Sequence, residues 1–185
     1  MSTSEFSKRM IAGGMKDLLR TMPLENISIG ALAQHCQVSR STVYYHFKDK
    51  YDIVSWIFHT EITPIVSVER EVGDWTENLL ATCRYLQANR DFYTKVLRDN
   101  GQNSFYECLI DFCRSLILHM FRQAGGDQLL GETRIRHISE IYSFGIVGMI
   151  TQWSRSGMTT DPAPFVQTVK ELISGDIYRK MTANR

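Results

Sequence analysis

The sequence predicts an all-α fold: an N-terminal three-helix head of the helix-turn-helix type, joined by a long helix to a helical body. Three observations carry this reading. Apolar residues recur at three- and four-residue steps along nearly the whole chain. No segment of four to eight residues alternates as a half-buried strand would. Two short helices, each preceded by a serine suited to capping it, are separated by only a few residues, which is helix-turn-helix spacing.

The elements follow in order. Phe6, Met10, Ile11, Met15, Leu18, Leu19 and Met22 line one face of an amphipathic helix over 5–22, which Pro23 ends. Ser28 caps a short helix reaching about Cys36, with Ile29, Leu32 and Ala33 facing inward. Ser39 caps a third, running to about Phe47. Asp49 or Lys50 opens a longer fourth, with Ile53, Val54, Ile57 and Phe58 on one face, and Pro64 interrupts or kinks it. Further helices are expected at about 75–89, 91–99, 103–124, 130–156 and 162–181. Breaks are expected at Gly73, Asn89–Arg90, Asn100–Gly101, Gly125–Gly126 and from Gly157 to Pro164. No repeat or linker divides the chain, so the fourth helix joins a head, residues 1–50, to a body, residues 51–185.

Composition removes several function classes. With 185 residues, 43% hydrophobic and 22% charged, the chain can bury a core without disulfides or metal. Cys36, Cys83, Cys108 and Cys113 form no CxxC, and no histidine stands beside them at zinc-ligand spacing, so no metal is expected. No stretch approaches the roughly 18 consecutive apolar residues of a membrane span. The opening MSTSEFSKRM lacks the apolar segment of a signal peptide, so a cytoplasmic protein with reduced thiols and no membrane partner is expected. There is no nucleophile elbow, phosphate loop or paired Glu/His motif, so neither an enzyme nor a cofactor is expected. His59, His119 and His137 read as structural, the aromatic run Phe92, Tyr93, Phe105, Tyr106 and Phe112 as core, and Cys36, next to the turn, as an inert thiol.

The net charge is +1, but unevenly spread. The first fifty residues hold seven Lys/Arg against four Asp/Glu, and the rest fourteen against sixteen. A small basic head on a faintly acidic body hints at nucleic-acid binding by the head. The third helix sharpens the hint. A helix of eight residues is about 12 Å long, which suits a major groove. Val43 and Phe47 share a face and, with Val38 and Leu32, close a small core. Ser41 and Tyr45 point the opposite way, Arg40 and Tyr44 lie on one flank, and Thr42 and His46 on the other. That outer surface carries no carboxylate and suits phosphate oxygens and base edges, with Arg40 able to pair with guanine.

The run Val38-Ser-Arg-Ser-Thr-Val-Tyr-Tyr-His-Phe-Lys-Asp-Lys50 resembles the recognition-helix signature of the tetracycline-repressor (TetR) family of transcription factors. Ile27-Ser28-Ile29, Leu32-Ala33 and the amphipathic first helix match as well, so the resemblance covers about residues 5–60. It implies that Thr42, Tyr45, His46 and Lys50 hold phosphates, helped by Ser28, and that Arg40, Ser41 and Tyr44 face bases. Two positions depart from the pattern. Gln37 stands in the turn where many members have glycine, and Gly30 where many carry a polar or charged residue that also reaches DNA.

In this family the rest of the chain normally forms a helical ligand-binding and dimerisation domain. Gly145 and Gly148 share one face of a helix, where glycine costs roughly 1 kcal/mol against alanine, so close helix–helix approach is a use for them. An amphipathic last helix with Phe165, Val169, Leu172, Ile173 and Ile177 follows. Two such helices from each subunit of a homodimer would pack as a four-helix interface, engaging Tyr142, Gly145, Gly148, Met149, Gln152, Phe165, Val169 and Leu172. The body also resembles one subgroup, the dihydroxyacetone-kinase regulators. The matching pieces are Phe92-Tyr93-x3-Leu97, Asn103-Ser104-Phe105 and Tyr142-x2-Phe144-Gly145-Ile146-x-Gly148-x4-Trp153-x3-Gly157-Met158. That subgroup includes an activator controlled through a kinase-like partner protein. The resemblance implies a homodimeric regulator on a palindromic operator of double-stranded DNA, controlled by a small-molecule effector or a partner protein, as activator or repressor. The rival reading is a helical protein-interaction module whose basic head is incidental.

Overall fold

The computed structural model describes residues 3–66, 75–98, 105–175 and 179. Among these the regular elements are helices: α1 (Thr3–Thr21), a one-turn 3-10 helix (Leu24–Asn26), α2 (Ile29–His35), α3 (Arg40–His46), α4 (Lys50–Ile62), α5 (Trp75–Ala88), α6 (Arg90–Val96), α7 (Phe105–Gln123), α8 (Gly126–Leu130), α9 (Glu132–Arg155) and α10 (Ala163–Ser174). The expected breaks at Gly73 and Asn100–Gly101, and the Asn103-Ser104 pair, lie outside the described residues.

Side-chain caps set the three starts that shape the head. The Ser28 hydroxyl accepts from the Ala31 N–H at 3.1 Å, and that of Ser39 from the Thr42 N–H at 3.0 Å. The Asp49 carboxylate accepts from the N–H groups of Tyr51 and Asp52 at 2.8 and 2.9 Å. Each cap satisfies donors that the helix leaves open and is worth about 1 kcal/mol. Between α2 and α3, Gln37 takes a φ of 55°, and the Val38 N–H turns back to the Ala33 carbonyl at 2.9 Å. A left-handed residue with a Cβ costs roughly 1–2 kcal/mol, and the turn absorbs it because Leu32, Ala33, Val43 and Phe47 are buried on either side.

Helix α4 spans about 20 Å at 1.5 Å per residue. Its inner face, Ile53, Val54, Ile57, Phe58 and Ile62, is fully buried and belongs to a core that runs unbroken from α1 into the body. Phe58 meets Phe105 and Phe112 edge-on at 5.2 and 5.0 Å, and Tyr93 closes the cluster against Phe105. Of the aromatic run, Tyr93 and Phe105 are core, and Phe92, Tyr106 and Phe112 are half-buried against it. Pro64 ends α4 rather than kinking it: the helix stops at Ile62, two residues before the ring that cannot donate.

In the body α7 lies along α9, α5 against α10, and α6 against both α1 and α9. Helix α8 was not anticipated. Gly125 and Gly131, at φ of 71° and 79°, bracket five residues as a separate turn, where the sequence pattern predicts one break at Gly125–Gly126 and a next helix from about 130. Gly175, at φ 73°, closes α10 at Ser174, and Ile177 and the expected end at 181 lie outside the described residues. No described helix is long and apolar enough to cross a membrane, and no three His, Cys, Asp or Glu among the described residues are grouped as metal ligands.

Candidate nucleic-acid interface

Helix α3 stands on the head core by Val43 and Phe47, both buried, and this turns its other faces outward. Tyr45 is 83% exposed and Tyr44 57%. Arg40 and Ser41 are exposed, and Thr42 and His46 are half-buried on the flank. These six residues form one surface with no carboxylate in it. At its start, the Ser39 hydroxyl lies 2.7 Å from that of Ser41 and 2.8 Å from that of Thr42. Three hydroxyls thus share protons within themselves and hold one another in place. Ser28 is exposed at the start of α2, its oxygen already accepting from Ala31.

Lys50 is placed differently from its seven companions. Its ammonium donates to the carbonyls of Leu24 at 2.8 Å and Glu25 at 3.1 Å, and lies 5.4 Å from the centre of the Tyr51 ring. It ties the start of α4 to the 3-10 turn preceding α2. Lys48, which the sequence reading left out, is the exposed cation at this end. The signal was present in Lys48-Asp49-Lys50: with Asp49 as the cap, Lys50 becomes the first helical residue and Lys48 stays outside the helix.

Gly30 touches the guanidinium of Arg40. A Cβ built on Gly30 would stand 2.4 Å from Arg40 Nη2 and 2.9 Å from Cζ and Nε. Gly14 of α1 does the same against α2: its Cβ would fall 2.3 Å from Cys36 Sγ. Cys36 is wedged in that crossing with its thiol toward the Met10 carbonyl, and burial together with Asp17 raises its pKa. A thiol held protonated is a poor nucleophile, in keeping with a structural role. Burial likewise pushes Cys83 and Cys113 up to about 12.

The head meets the body through a polar bridge. Lys16 of α1 pairs with Glu61 of α4, Tyr85 of α5 donates to the other Glu61 oxygen, and Tyr93 of α6 donates to Tyr85 at 3.1 Å. Burial and the Glu61 carboxylate raise the Tyr85 hydroxyl, outweighing the hydrogen bond from Tyr93, which lowers it, and burial raises Tyr93 well above the ordinary phenol, so both remain donors. Lys95 of α6 reaches the carbonyls of Leu19 and Arg20 at the end of α1. Four helices thus converge on one carboxylate and one helix terminus.

In the body, α9 presents an apolar stripe to solvent. Ile141 is 69% exposed, and Phe144, Met149 and, on α10, Leu172 are also open. Gly145 and Gly148 lie on this stripe with nothing near their missing Cβ atoms, and Gln152 continues it. Tyr142 and Phe165 are half-buried at its edges. Val169 is buried in the core of its own chain, and Ile141 and Phe144 lie on the exposed stripe. The step from 141 through 144, 145, 148, 149 and 152 is the i, i+3, i+4 rhythm of a helix face, a signal in the sequence that extends one turn before the glycines.

Comparison with known proteins gives the same picture over both parts of the chain. Residues 16–55 match the model for bacterial regulatory proteins of the tetR family, and residues 73–175 match a transcriptional regulator C-terminal region of the TetR type. A curated relative, the HTH-type dhaKLM operon transcriptional activator DhaS of Lactococcus lactis, is 29% identical over 96 residues. That match spans 52% of this chain and about half, 51%, of the relative. Among solved structures, the dihydroxyacetone kinase operon activator DhaS superposes with a TM-score of 0.60 at 19% identity, covering 93% of this chain and 96% of that one. A FadR from Bacillus subtilis in complex with stearoyl-CoA gives 0.59 at 17% identity, covering 89% and 96%. At such identities these two structures establish the shared fold.

Proposed function

The chain belongs to the TetR family of bacterial regulatory proteins and is a DNA-binding transcriptional regulator, and from that premise we propose that it works as a cytoplasmic homodimer on a palindromic operator. Residues 1–50 are the reading head, and residues 51–185 sense the effector. The carboxylate-free outer face of α3 carries the proposal. Arg40, Ser41 and Tyr44 face bases, while Thr42, Tyr45 and His46, with Ser28 and Lys48, meet phosphates. Lys50 contributes by holding the turn before α2 as well as by charge. The exposed stripe on α9 and α10 supports a twofold interface, which would set two heads on half-sites about one helical turn apart.

The body is a sensor rather than an enzyme in this reading, and two effector classes fit its relatives. One neighbour is an activator of a kinase operon and another is seen with an acyl-CoA. A partner protein and a small molecule are therefore both candidate effectors. Either would act by favouring one head–body arrangement over another, with differential affinity setting the size of the response. The Lys16–Glu61–Tyr85–Tyr93 bridge lies on the route through α4.

The test is selection of bound duplexes from random DNA by the full chain at two salt concentrations. Enrichment of a palindrome, weakened by salt and lost in Tyr45→Ala/Arg40→Ala, is the expected result. Equal retention of all sequences by the wild type and the double variant would refute it.

A further inference from the structure

We infer that Gly30 is a positioning residue for Arg40, and through it a determinant of which base the head reads. The inference rests on the proposed DNA-reading role of α3. Arg40 is the first residue of α3 and Gly30 the second of α2, so the two meet across the turn. All three of the nearest atoms to the absent Gly30 Cβ belong to the Arg40 guanidinium, at 2.4, 2.9 and 2.9 Å. The guanidinium occupies the volume that any other amino acid at position 30 would fill. An arginine on an open surface has many rotamers, and ordering one costs affinity when the side chain binds. Here the backbone of α2 forms one wall for the planar group and removes part of that freedom in advance.

The geometry separates this role from a structural one. The displaced atoms are the far end of a flexible side chain, so Gly30→Ala leaves the fold intact while the guanidinium lifts by more than 1 Å to restore ordinary contact. Bidentate pairing of arginine with guanine depends on a fixed plane, and losing such a pair relaxes discrimination at that base by about tenfold. Gly30→Ala is therefore expected to flatten the preference at one symmetric pair of operator positions. The same pair should be flattened by Arg40→Ala, and Gly30→Ala should add nothing in the Arg40→Ala background.

The experiment compares the full chain with Gly30→Ala, Arg40→Ala and the double variant by binding-site selection, with thermal unfolding as a check on folding. Side-chain NMR of the Arg40 Nε–H in the free proteins provides a second reading that needs no DNA. The expected outcome is an unfolding midpoint for Gly30→Ala no lower than that of the wild type, since alanine gains helix propensity, a shared loss of preference, and an Arg40 signal that becomes more mobile in Gly30→Ala. A wild-type profile in Gly30→Ala, or a change at positions that Arg40→Ala leaves alone, overturns the inference while leaving DNA binding in place. A wild-type chain that enriches no duplex overturns the function together with the inference. An Arg40 signal equally mobile with and without the Gly30 substitution overturns the positioning role by itself.

Discussion

Helix α1 carries two adjacent glycines whose substitution should have opposite effects. Gly13 faces solvent with nothing within 4 Å of its missing Cβ. Alanine there gains helix propensity, so Gly13→Ala should stabilise by about 0.5–1 kcal/mol. Gly14 has the same backbone preference but no room. Its Cβ would stand 2.3 Å from Cys36 Sγ, 3.3 Å from a His35 ring carbon and 3.4 Å from a Leu32 methyl. A carbon–sulfur contact needs roughly 3.5–4 Å, so either the thiol or the α1–α2 crossing must give by more than 1 Å. Cys36 has a single rotatable bond to its sulfur, and that sulfur already points to Met10. Overpacking of this kind costs about 1–3 kcal/mol, which outweighs the propensity gain and leaves a net loss of about 1–2 kcal/mol. For a chain of this size that is a fall in Tm of roughly 2–8 °C. Urea unfolding of the two variants, and of each combined with Cys36→Ala, would read it. The sulfur is the obstacle, so Cys36→Ala should restore most of the Gly14→Ala loss and leave Gly13→Ala unaffected. A Gly14→Ala protein as stable as Gly13→Ala, or one that Cys36→Ala fails to rescue, would refute the close-approach argument.

Three other expectations follow from the same structure. Lys50→Met removes a charged donor from two carbonyls and should cost about 1–3 kcal/mol of unfolding free energy, whereas Tyr45→Ala should leave stability within about 0.5 kcal/mol and act on DNA affinity alone; parallel urea titrations and gel shifts separate the two. Phe144→Glu places a charge on the exposed stripe of α9, where roughly half of the ring remains to be covered. With roughly 2 kcal/mol lost per copy, the proposed homodimer should weaken by about a thousandfold, and sedimentation should find a single-chain mass for the variant and twice that mass for the wild type. His59 is held below its ordinary value by burial, so above that value it is neutral in both states and contributes nothing. As pH falls below about 6.5 the unfolded chain takes up the proton first and stability is lost, so His59→Gln should flatten this part of the profile between pH 7.5 and 5.5.

Much of the head was legible because its signals are local. Ser28 and Ser39 cap the helices that the sequence predicts them to cap, since a cap depends on a residue and the three that follow it, and of the two candidates for the start of α4 Asp49 is the cap and Lys50 the first helical residue. The left-handed Gln37 agrees with the family resemblance, in which many members carry glycine, the residue that takes this conformation without strain, at the same place in the turn. The sorting of α3 into core and outer faces needed only the helical period and two apolar residues, Val43 and Phe47. Helix α8 was missed because five residues between two glycines give too little periodicity to separate them from a break. The sequence predicts an interface role for Val169 and the structure buries it at home, because an amphipathic helix does not say whether its apolar face will meet its own chain or a second copy.

By itself the sequence determined the helical class, the head with its capped helices, the outward face of α3 and the family, because each depends on residues near one another in the chain or on a contiguous motif. Tertiary structure decided what distant residues do to each other. It turned Lys50 from a free cation into a tie across 25 positions to Glu25 and brought Lys16, Glu61, Tyr85 and Tyr93 onto one bridge. It laid Arg40 in the space that Gly30 leaves open and drove Cys36 against Gly14. Such contacts depend on the crossing of helices, where an ångström separates a fit from a clash, and a pattern of residue types along one chain does not contain that distance.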